Sequence, residues 1–389
     1  MEPFEIDAVT LRAACARAKG KAASTEASDI VARLRVGERP DREALVALFL
    51  SPRVSTDTLL GIARARRPPG RHRIETFSPL YLSNECDAEC AMCGMRRFNA
   101  ELRRETADSK TVDAQLDILH RRGLRGVALL TGEYHHGPRR RAMLARTASA
   151  LRSALTRGFT HVLINVGALE AEEHALLLDG VPRASDGRVR PQITMCTFQE
   201  TYDPRRYARF MGRNTSNPRS DFIRRLRNLD RAADAGMWAA NPGVLVGLNR
   251  DLGYELLALL DHARHLADRG MSVYVSVPRL RKASGAAHTA GASDDAFARF
   301  VAMLAIGLPG TKVVISTRES PAMQRCLLPV IGVLTPGSPG VAPYTETGAR
   351  FEVEASQFEV LDHRPIESIL GEILAAGTTI DRYEPALSA

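Results

Sequence analysis

From residue 75 onward, short apolar runs rich in Val, Ile and Leu alternate with stretches of helical period. The cycle recurs about every 35 residues, the rhythm of parallel strands joined by crossover helices. Strands are expected at 75–83, 125–131, 161–167, 192–198, 239–247, 272–277, 312–317 and 331–335. Helices are expected near 111–122, 139–157, 170–179, 218–236, 252–270, 293–306 and 320–329. Eight strands in this rhythm predict an α/β fold, a (β/α)8 TIM-type barrel over residues 75–345. Residues 1–74 have no strand signal. Their Ala-rich segments at 7–24 and 27–37 and the run from Asp41, a good helix cap, read as an N-terminal helical extension. Residues 346–389 are expected to pack on the barrel as a C-terminal segment. The small-residue stretch Ser284–Ser293 reads as a loop.

Composition narrows the functional classes. No window holds the roughly 18 uncharged apolar residues a membrane helix needs. The start, Met-Glu-Pro-Phe-Glu-Ile-Asp, lacks the basic and apolar parts of a signal peptide, so a cytoplasmic location is expected. A net charge of +8 invites a nucleic-acid reading. The basic runs Arg64-Ala-Arg-Arg67 and Arg139-Arg140-Arg141, however, carry no interleaved aromatics and read as solvated faces. A metal-bearing nucleic-acid-binding protein remains the reading from a different class. It predicts affinity that falls steeply with salt.

Candidate chemistry concentrates in Tyr81–Asn99, where Cys86, Cys90 and Cys93 stand as Cys-x3-Cys-x2-Cys. Clustered thiolates favour iron–sulfur clusters or zinc. Three of them leave one corner of a [4Fe-4S] cluster open for an exchangeable ligand. Structural zinc, the competing reading, needs a fourth ligand. Asp87 and Glu89 are too close in the loop to serve well, and His135 and His136 are distant in sequence. Cys15, Cys196 and Cys326 are isolated and read as small hydrophobes. In such barrels the active site lies at the C-terminal strand ends. There fall Tyr81, Thr131-Gly132-Glu133, Asn165, Gly167, Gln199-Glu200, Asn241–Gly247, Ser276–Arg279, Arg318-Glu319 and Thr335. Arg318, directly after a strand, can clamp a carboxylate through two parallel hydrogen bonds.

The cysteine spacing, followed by Gly94, resembles the radical S-adenosylmethionine (SAM) superfamily. That resemblance implies a [4Fe-4S] cluster on Cys86, Cys90 and Cys93, with SAM on the open iron. Thr131-Gly132-Glu133 is similar to the superfamily's Gly-Gly-Glu segment, implying that Gly132 and Glu133 hold the methionine amino group. Gln199 and Glu200 resemble a stretch of the aromatic-amino-acid lyases that lies against SAM. Arg225 matches an arginine near the SAM ribose and carboxylate, and Gly243 and Gly247 would leave room for adenine.

A closer likeness covers roughly residues 40 to 385. It runs through Tyr81-x2-Asn84-x-Cys86-Asp87-x-Glu89-Cys90-x-Met92-Cys93-x-Met95-Arg96, Leu130–Tyr134, Met195–Asp203, Asn241–Leu248, Ser276–Arg279, Thr317–Glu319 and Pro336–Tyr344. These stretches resemble the tryptophan lyases that make 3-methyl-2-indolic acid for thiopeptide antibiotics. The resemblance implies L-tryptophan as substrate and a one-electron reductant such as flavodoxin or ferredoxin. It implies a 5′-deoxyadenosyl radical that starts side-chain fragmentation, with carboxyl migration to the indole. Arg318 would bind the substrate carboxylate and Tyr81 would supply a nearby hydroxyl. Thr335 stands where that family has serine, which keeps the hydroxyl and adds a methyl. The alternative is a tyrosine lyase that cleaves the Cα–Cβ bond, which shares Gln199-Glu200-Thr201-Tyr202 and fits the C-terminal third less well.

Overall fold

The computed structural model describes residues 2–68, 70–190, 192–286, 291–346 and 357–385. Residues 287–290 of the expected loop and 347–356 of the C-terminal segment lie outside them. The strands are β1 (Arg73–Thr76), β2 (Ser78–Tyr81), β3 (Gly126–Leu130), β4 (His161–Asn165), β5 (Gln192–Glu200), β6 (Ala239–Val244), β7 (Ser272–Ser276), β8 (Lys312–Ser316), β9 (Val333–Thr335) and β10 (Thr379–Asp381). Every pairing between them is parallel, in the order β10-β1-β9-β8-β7-β6-β5-β4-β3-β2.

The single strand expected at 75–83 divides at Phe77. Its first half pairs with β9 and β10, its second with β3. One extended run therefore touches both ends of the sheet, and the sheet curls into the expected barrel. The chain after β9 closes the seam. The Ser78 hydroxyl donates to Pro336 O at 2.9 Å, and Tyr81 bridges to Val341.

Helices cover the outer face: α5 (Ser109–Arg121), α6 (Pro138–Thr156), α7 (Ala171–Leu177), α9 (Phe222–Leu226), α10 (Asn228–Asp234), α11 (Leu252–Asp268), α12 (Asp294–Gly307) and α13 (Pro321–Leu327). The helix expected at 218–236 is two helices, α9 and α10. A further short one, α8 (Pro204–Met211), starts where Asp203 caps two backbone N–H groups and Pro204 presets the first turn. It turns Tyr207, Phe210 and Met211 inward under the cysteine loop. The N-terminal extension is four helices, α1 (Ala8–Ala23), α2 (Glu26–Arg35), α3 (Arg42–Leu50) and α4 (Thr56–Ala65). Asp41 caps α3 as expected, accepting from Ala44 N at 2.7 Å. At the other end of α3, buried Arg299 of α12 donates to the carbonyls of Leu48, Phe49, Ser51 and Val54. It satisfies acceptors that a buried helix end would otherwise leave unpaired. After the barrel come α14 (Ile366–Ala375) and β10, which extends the sheet beyond β1.

The N-terminal end of the barrel is plugged by a cluster of interacting polar groups. Buried Glu75 accepts from Tyr274 Oη at 2.9 Å and from Lys312 Nζ, and lies 3.3 Å from His161 Nδ1. His161 Nε2 meets Thr194 Oγ1 at 2.7 Å, and Gln192 donates to the Tyr274 hydroxyl at 2.6 Å. Among the described residues no helix is long and apolar enough to cross a membrane.

Candidate active site

The loop from β2 to α5 brings the three cysteines to the C-terminal mouth of the barrel, where all three line one cavity of about 210 Å³. Short-range sequence features shape this loop. The Asn84 side chain spans it, donating to Arg103 O at 2.8 Å and accepting from Glu105 N at 2.6 Å. The Arg104 guanidinium closes it against the carbonyls of Asn84, Met95 and Arg96. Two bonds then seat it on the barrel, Asp87 N to Glu133 O at 2.9 Å and Ala91 N to Phe210 O at 2.8 Å.

Gly132 lets the loop approach. A Cβ there would lie 2.1 Å from Glu85 O and 2.7 Å from Cys86 Cα, an overlap with backbone. Donors surround the sulfurs. Glu133 N and Ala88 N point at Cys86 Sγ from 3.3 and 3.4 Å, and Gln357 Nε2 at Cys93 Sγ from 3.5 Å. Burial pushes Cys86 up to about 11 and Cys90 up to about 12, so metal binding has to release those protons.

Among the described residues no three His, Cys, Asp or Glu side chains gather closely enough for one metal ion. The three cysteines line one cavity together, a placement that suits a cluster in which each thiolate takes a different iron. The largely buried Asp87 carboxylate is taken up by Arg139 at 2.9 Å and His135 N at 3.1 Å. The donor set, the N–H groups aimed at sulfur and the close approach at Gly132 fit a [4Fe-4S] cluster.

Beside the cysteines lies a buried ionic network. The Glu133 carboxylate accepts from Arg225 Nη1 at 3.0 Å and from Ala168 N at 3.0 Å. Arg225 also donates to Phe198 O at 2.7 Å. Glu200 takes a left-handed conformation, φ 66°, at a register shift between β5 and β6. Such strain in a non-glycine residue persists where surrounding structure enforces it, commonly at functional sites. Glu200 accepts from Arg219 Nη2 at 2.7 Å. Burial opposes the charge of Arg219. Its neighbours Cys90, Glu200 and Glu133 outweigh that and hold the guanidinium firmly protonated. Behind the bulge, buried Glu255 accepts from Thr201 Oγ1, Tyr202 N and Asn249 Nδ2. Desolvation nonetheless raises its carboxyl to about 7.

The opposite wall carries Arg318, Tyr81 and Thr335. Arg318 follows β8, and loss of hydration lowers its guanidinium to about 10, still cationic at neutral pH. Among the described residues the polar contact of its guanidinium is a 3.4 Å bond to Arg279 O, and its face covers the Phe358 ring at 3.1 Å. Among the described residues no carboxylate pairs with it, since neighbouring Glu319 is bound to Arg279 and Arg281. The Tyr81 hydroxyl donates to Gln357 Oε1 at 2.7 Å, and burial raises its pKa. Thr335 Oγ1 lies 3.4 Å from Ile315 O, beside Ser316 in the β8–β9 register.

The structure thus brings Cys86, Cys90, Cys93, Gly132, Glu133, Glu200, Arg225, Tyr81, Arg318 and Thr335 to one cavity. It does not bring Gln199, Gly243 or Gly247 there. Gln199 alternates away from Phe198 and Glu200 and donates to Phe222 O at 3.3 Å. The space a Cβ would take at Gly243 is filled by Ser276 O and Phe198. At Gly247 it is filled by Gly291 and Ala292. Leu245, between the two glycines, lines the cavity in their place. Sequence reading misses Arg219 and the segment 357–361. That segment crosses the mouth, held by Gly94 N to Gln357 O at 3.1 Å and Leu361 N to Thr317 O at 3.0 Å. Neither has a motif that could announce it.

No protein-family model matches the chain. It is 27% identical over 353 residues to a 2-iminoacetate synthase of Salmonella typhimurium, covering 86% of this chain and 85% of that protein. It is also 27% identical over 315 residues to the Escherichia coli 2-iminoacetate synthase, covering 78% and 76%. Among solved structures, the FeFe-hydrogenase maturase HydG superposes with a TM-score of 0.79 at 27% identity, over 97% of this chain and 80% of that one. HydG from Carboxydothermus hydrogenoformans gives the same score at 24% identity, over 97% and 85%. Methylornithine synthase shares the fold, with a TM-score of 0.68 at 15% identity over 90% and 97%. With the three-cysteine loop at the mouth of this barrel, these likenesses make the chain a radical SAM carbon–carbon lyase that uses a [4Fe-4S] cluster and S-adenosylmethionine.

Proposed function

We propose that the chain cleaves the side chain of an aromatic L-amino acid held by its carboxylate, and that L-tyrosine, cut between Cα and Cβ, is the reading supported best. The observation that carries it is Arg318, a desolvated cation in the cavity wall with no carboxylate partner among the described residues. An unpaired buried charge is costly, and an incoming carboxylate relieves that cost. The Tyr81 hydroxyl already donates to an amide oxygen, Gln357 Oε1, at 2.7 Å. A carboxylate oxygen in that position would accept the same proton. Thr335 offers a second hydroxyl on the same wall.

The choice of bond rests on the relatives. 2-Iminoacetate, the product that names two of them, is the fragment HN=CH–COO⁻. An α-amino acid that loses one hydrogen atom from its amino nitrogen gives this fragment when the Cα–Cβ bond breaks. The ring and its methylene leave as the other half. When bound, the cluster and SAM supply a 5′-deoxyadenosyl radical able to remove that hydrogen. Cys86, Cys90 and Cys93 would hold the cluster, and Glu133, Glu200, Arg219 and Arg225 surround the space for SAM. The protein's own part is to fix the substrate by its carboxylate and exclude water.

A second reading, L-tryptophan converted to 3-methyl-2-indolic acid, has the Arg318–Tyr81–Thr335 wall in its favour. Three donors around one carboxyl group would retain that group after cleavage of the Cα–carboxyl bond. The test is anaerobic cluster reconstitution, then SAM, a low-potential reductant, and L-tyrosine or L-tryptophan in parallel, followed by mass spectrometry. Tyrosine-dependent 4-methylphenol, formed as the released benzylic radical takes an electron from the reductant and a proton, and glyoxylate, from hydrolysis of the imine, are expected alongside 5′-deoxyadenosine. Formation of 3-methyl-2-indolic acid instead establishes the second reading. Failure of both amino acids to promote SAM cleavage rejects the aromatic substrate altogether.

A further inference from the structure

Below the mouth, the cavity runs into the barrel between apolar side chains. Phe77, Ala128, Cys196, Phe198 and Val314 face it. Beside Val314 stands the Ser276 hydroxyl, and on the adjoining strand a buried amide side chain. Asn241 on β6 is 1% exposed and lines the cavity. Its Nδ2 donates to the sulfur of Cys196 at 3.5 Å, its neighbour in the β5–β6 register. Its Oδ1 has no hydrogen-bond partner among the described residues.

A buried amide oxygen without a donor costs free energy, and native proteins rarely retain one without a use. Leucine would fill the same space with nothing left to satisfy. Depth separates this atom from the cofactor. Asn241 lies two residues before Gly243, about 6–7 Å further down the barrel at the rise of a β-strand. The cysteines, Glu133 and Glu200 all sit at the mouth. Arg318 and Thr335 stand at the mouth ends of β8 and β9, so a carboxylate clamped there directs the rest of its molecule downward into the apolar wall.

We propose that Asn241 Oδ1 forms a subsite for a hydrogen-bond donor on the ring of the substrate, a phenolic O–H or an indole N–H. The inference rests on the proposed aromatic amino acid substrate and deepens it. Asn241 then acts as a specificity residue. It admits aromatic amino acids that carry a ring donor and disfavours phenylalanine, which would bury the amide oxygen still unpaired. A site built to meet a polar group rejects the analogue lacking it far more strongly than an apolar pocket separates two hydrocarbons.

The experiment uses the reconstituted, SAM-loaded enzyme without reductant, so that binding is read without turnover. Dissociation constants for L-tyrosine, L-tryptophan and L-phenylalanine are measured by calorimetry on wild type, Asn241→Leu and Asn241→Ala. Wild type is expected to bind tyrosine or tryptophan about 30-fold more tightly than phenylalanine, the size of one buried hydrogen bond. Both variants should bring that ratio to within about 3-fold of unity, chiefly by losing affinity for the ring with the donor. Asn241→Leu should melt no lower than wild type, because it removes an unsatisfied group. A merely structural asparagine would instead lower the melting point and leave the ratio alone. An unchanged ratio in both variants, or wild type binding phenylalanine as tightly as the others, overturns the subsite and leaves the aromatic substrate standing. Absence of binding by all three removes the substrate reading and the subsite with it.

Discussion

The two ends of the barrel both bury charge, and they treat it in opposite ways. At the N-terminal end Glu75 has Lys312, His161 and Tyr274 around it, and the network continues through Gln192 to Arg382. Both Glu75 oxygens are engaged, while His161 Nδ1 and Arg382 Nε at its edge have no hydrogen bond among the described residues. At the C-terminal mouth, among the described residues, Arg318 has no carboxylate partner and Asn241 Oδ1 no donor, and Glu200 is held in a left-handed conformation. The buried carboxylates show the same contrast. Glu75 is pulled down to about 2, because ionic and hydrogen-bonding partners outweigh its desolvation, whereas Glu255 behind the mouth is raised to about 7, because desolvation wins. At the N-terminal end the protein supplies the partners of its buried charge, and at the mouth it leaves polar groups that a ligand could meet.

The largest effect should come from moving the mouth itself. In Gly132→Ala the new methyl group meets Glu85 O and the Cys86 backbone, so the cysteine loop must shift as a unit. The reconstituted variant should retain less than about a tenth of the iron and visible absorbance of wild type, with its far-ultraviolet circular dichroism unchanged. Full iron content in that variant would show that the loop has slack and that the close approach at Gly132 is incidental.

Next comes Arg318→Gln. If the mouth is built around an absent carboxylate, removing the cation should lower kcat/KM for the aromatic amino acid about 100-fold, the scale of a charged hydrogen-bonded contact. SAM cleavage without substrate and protein stability should hold or improve, since the variant removes an unpaired buried charge. A large loss of stability with unchanged kcat/KM would make Arg318 a structural residue and dissolve the contrast between the two ends.

How much of this is legible in the sequence differs along the same lines. The strands announce themselves because apolar runs of strand length alternate with helix-period stretches, and the cysteine loop because its spacing is chemically specific. Arg318 stands out by position alone. The division of the first strand at Phe77 has only Pro79, two residues on, as a local mark. It follows from two different neighbours claiming the two halves, a tertiary fact. Arg219 sits in an aperiodic loop of an arginine-rich chain, and Gln357 reaches Cys93 across 264 residues. Neither contact has a local signature. The outward turn of Gln199 is legible in hindsight, since strand alternation that points Phe198 and Glu200 inward must point Gln199 away.

The smallest expected effect tests the N-terminal end. Glu75 has a folded pKa of about 2, below its ordinary value of 4.5. Its contribution to stability is therefore present above about pH 4.5 and is lost as the pH falls toward 2. The shift corresponds to about 3 kcal/mol at full strength, and residual structure in the unfolded chain reduces what is measured. Glu75→Gln should lose most of this at pH 7, seen as an earlier denaturant midpoint, and almost nothing at pH 2, where the wild-type carboxyl is itself being protonated. Affinity for the amino acid and for SAM should not change, because Glu75 lies at the far end of the barrel from the cavity mouth. A Glu75→Gln variant as stable as wild type at pH 7 would mean that the plug merely offsets its own desolvation. Both ends of the barrel would then be energetically idle without ligand, and only the mouth would have something to gain from one.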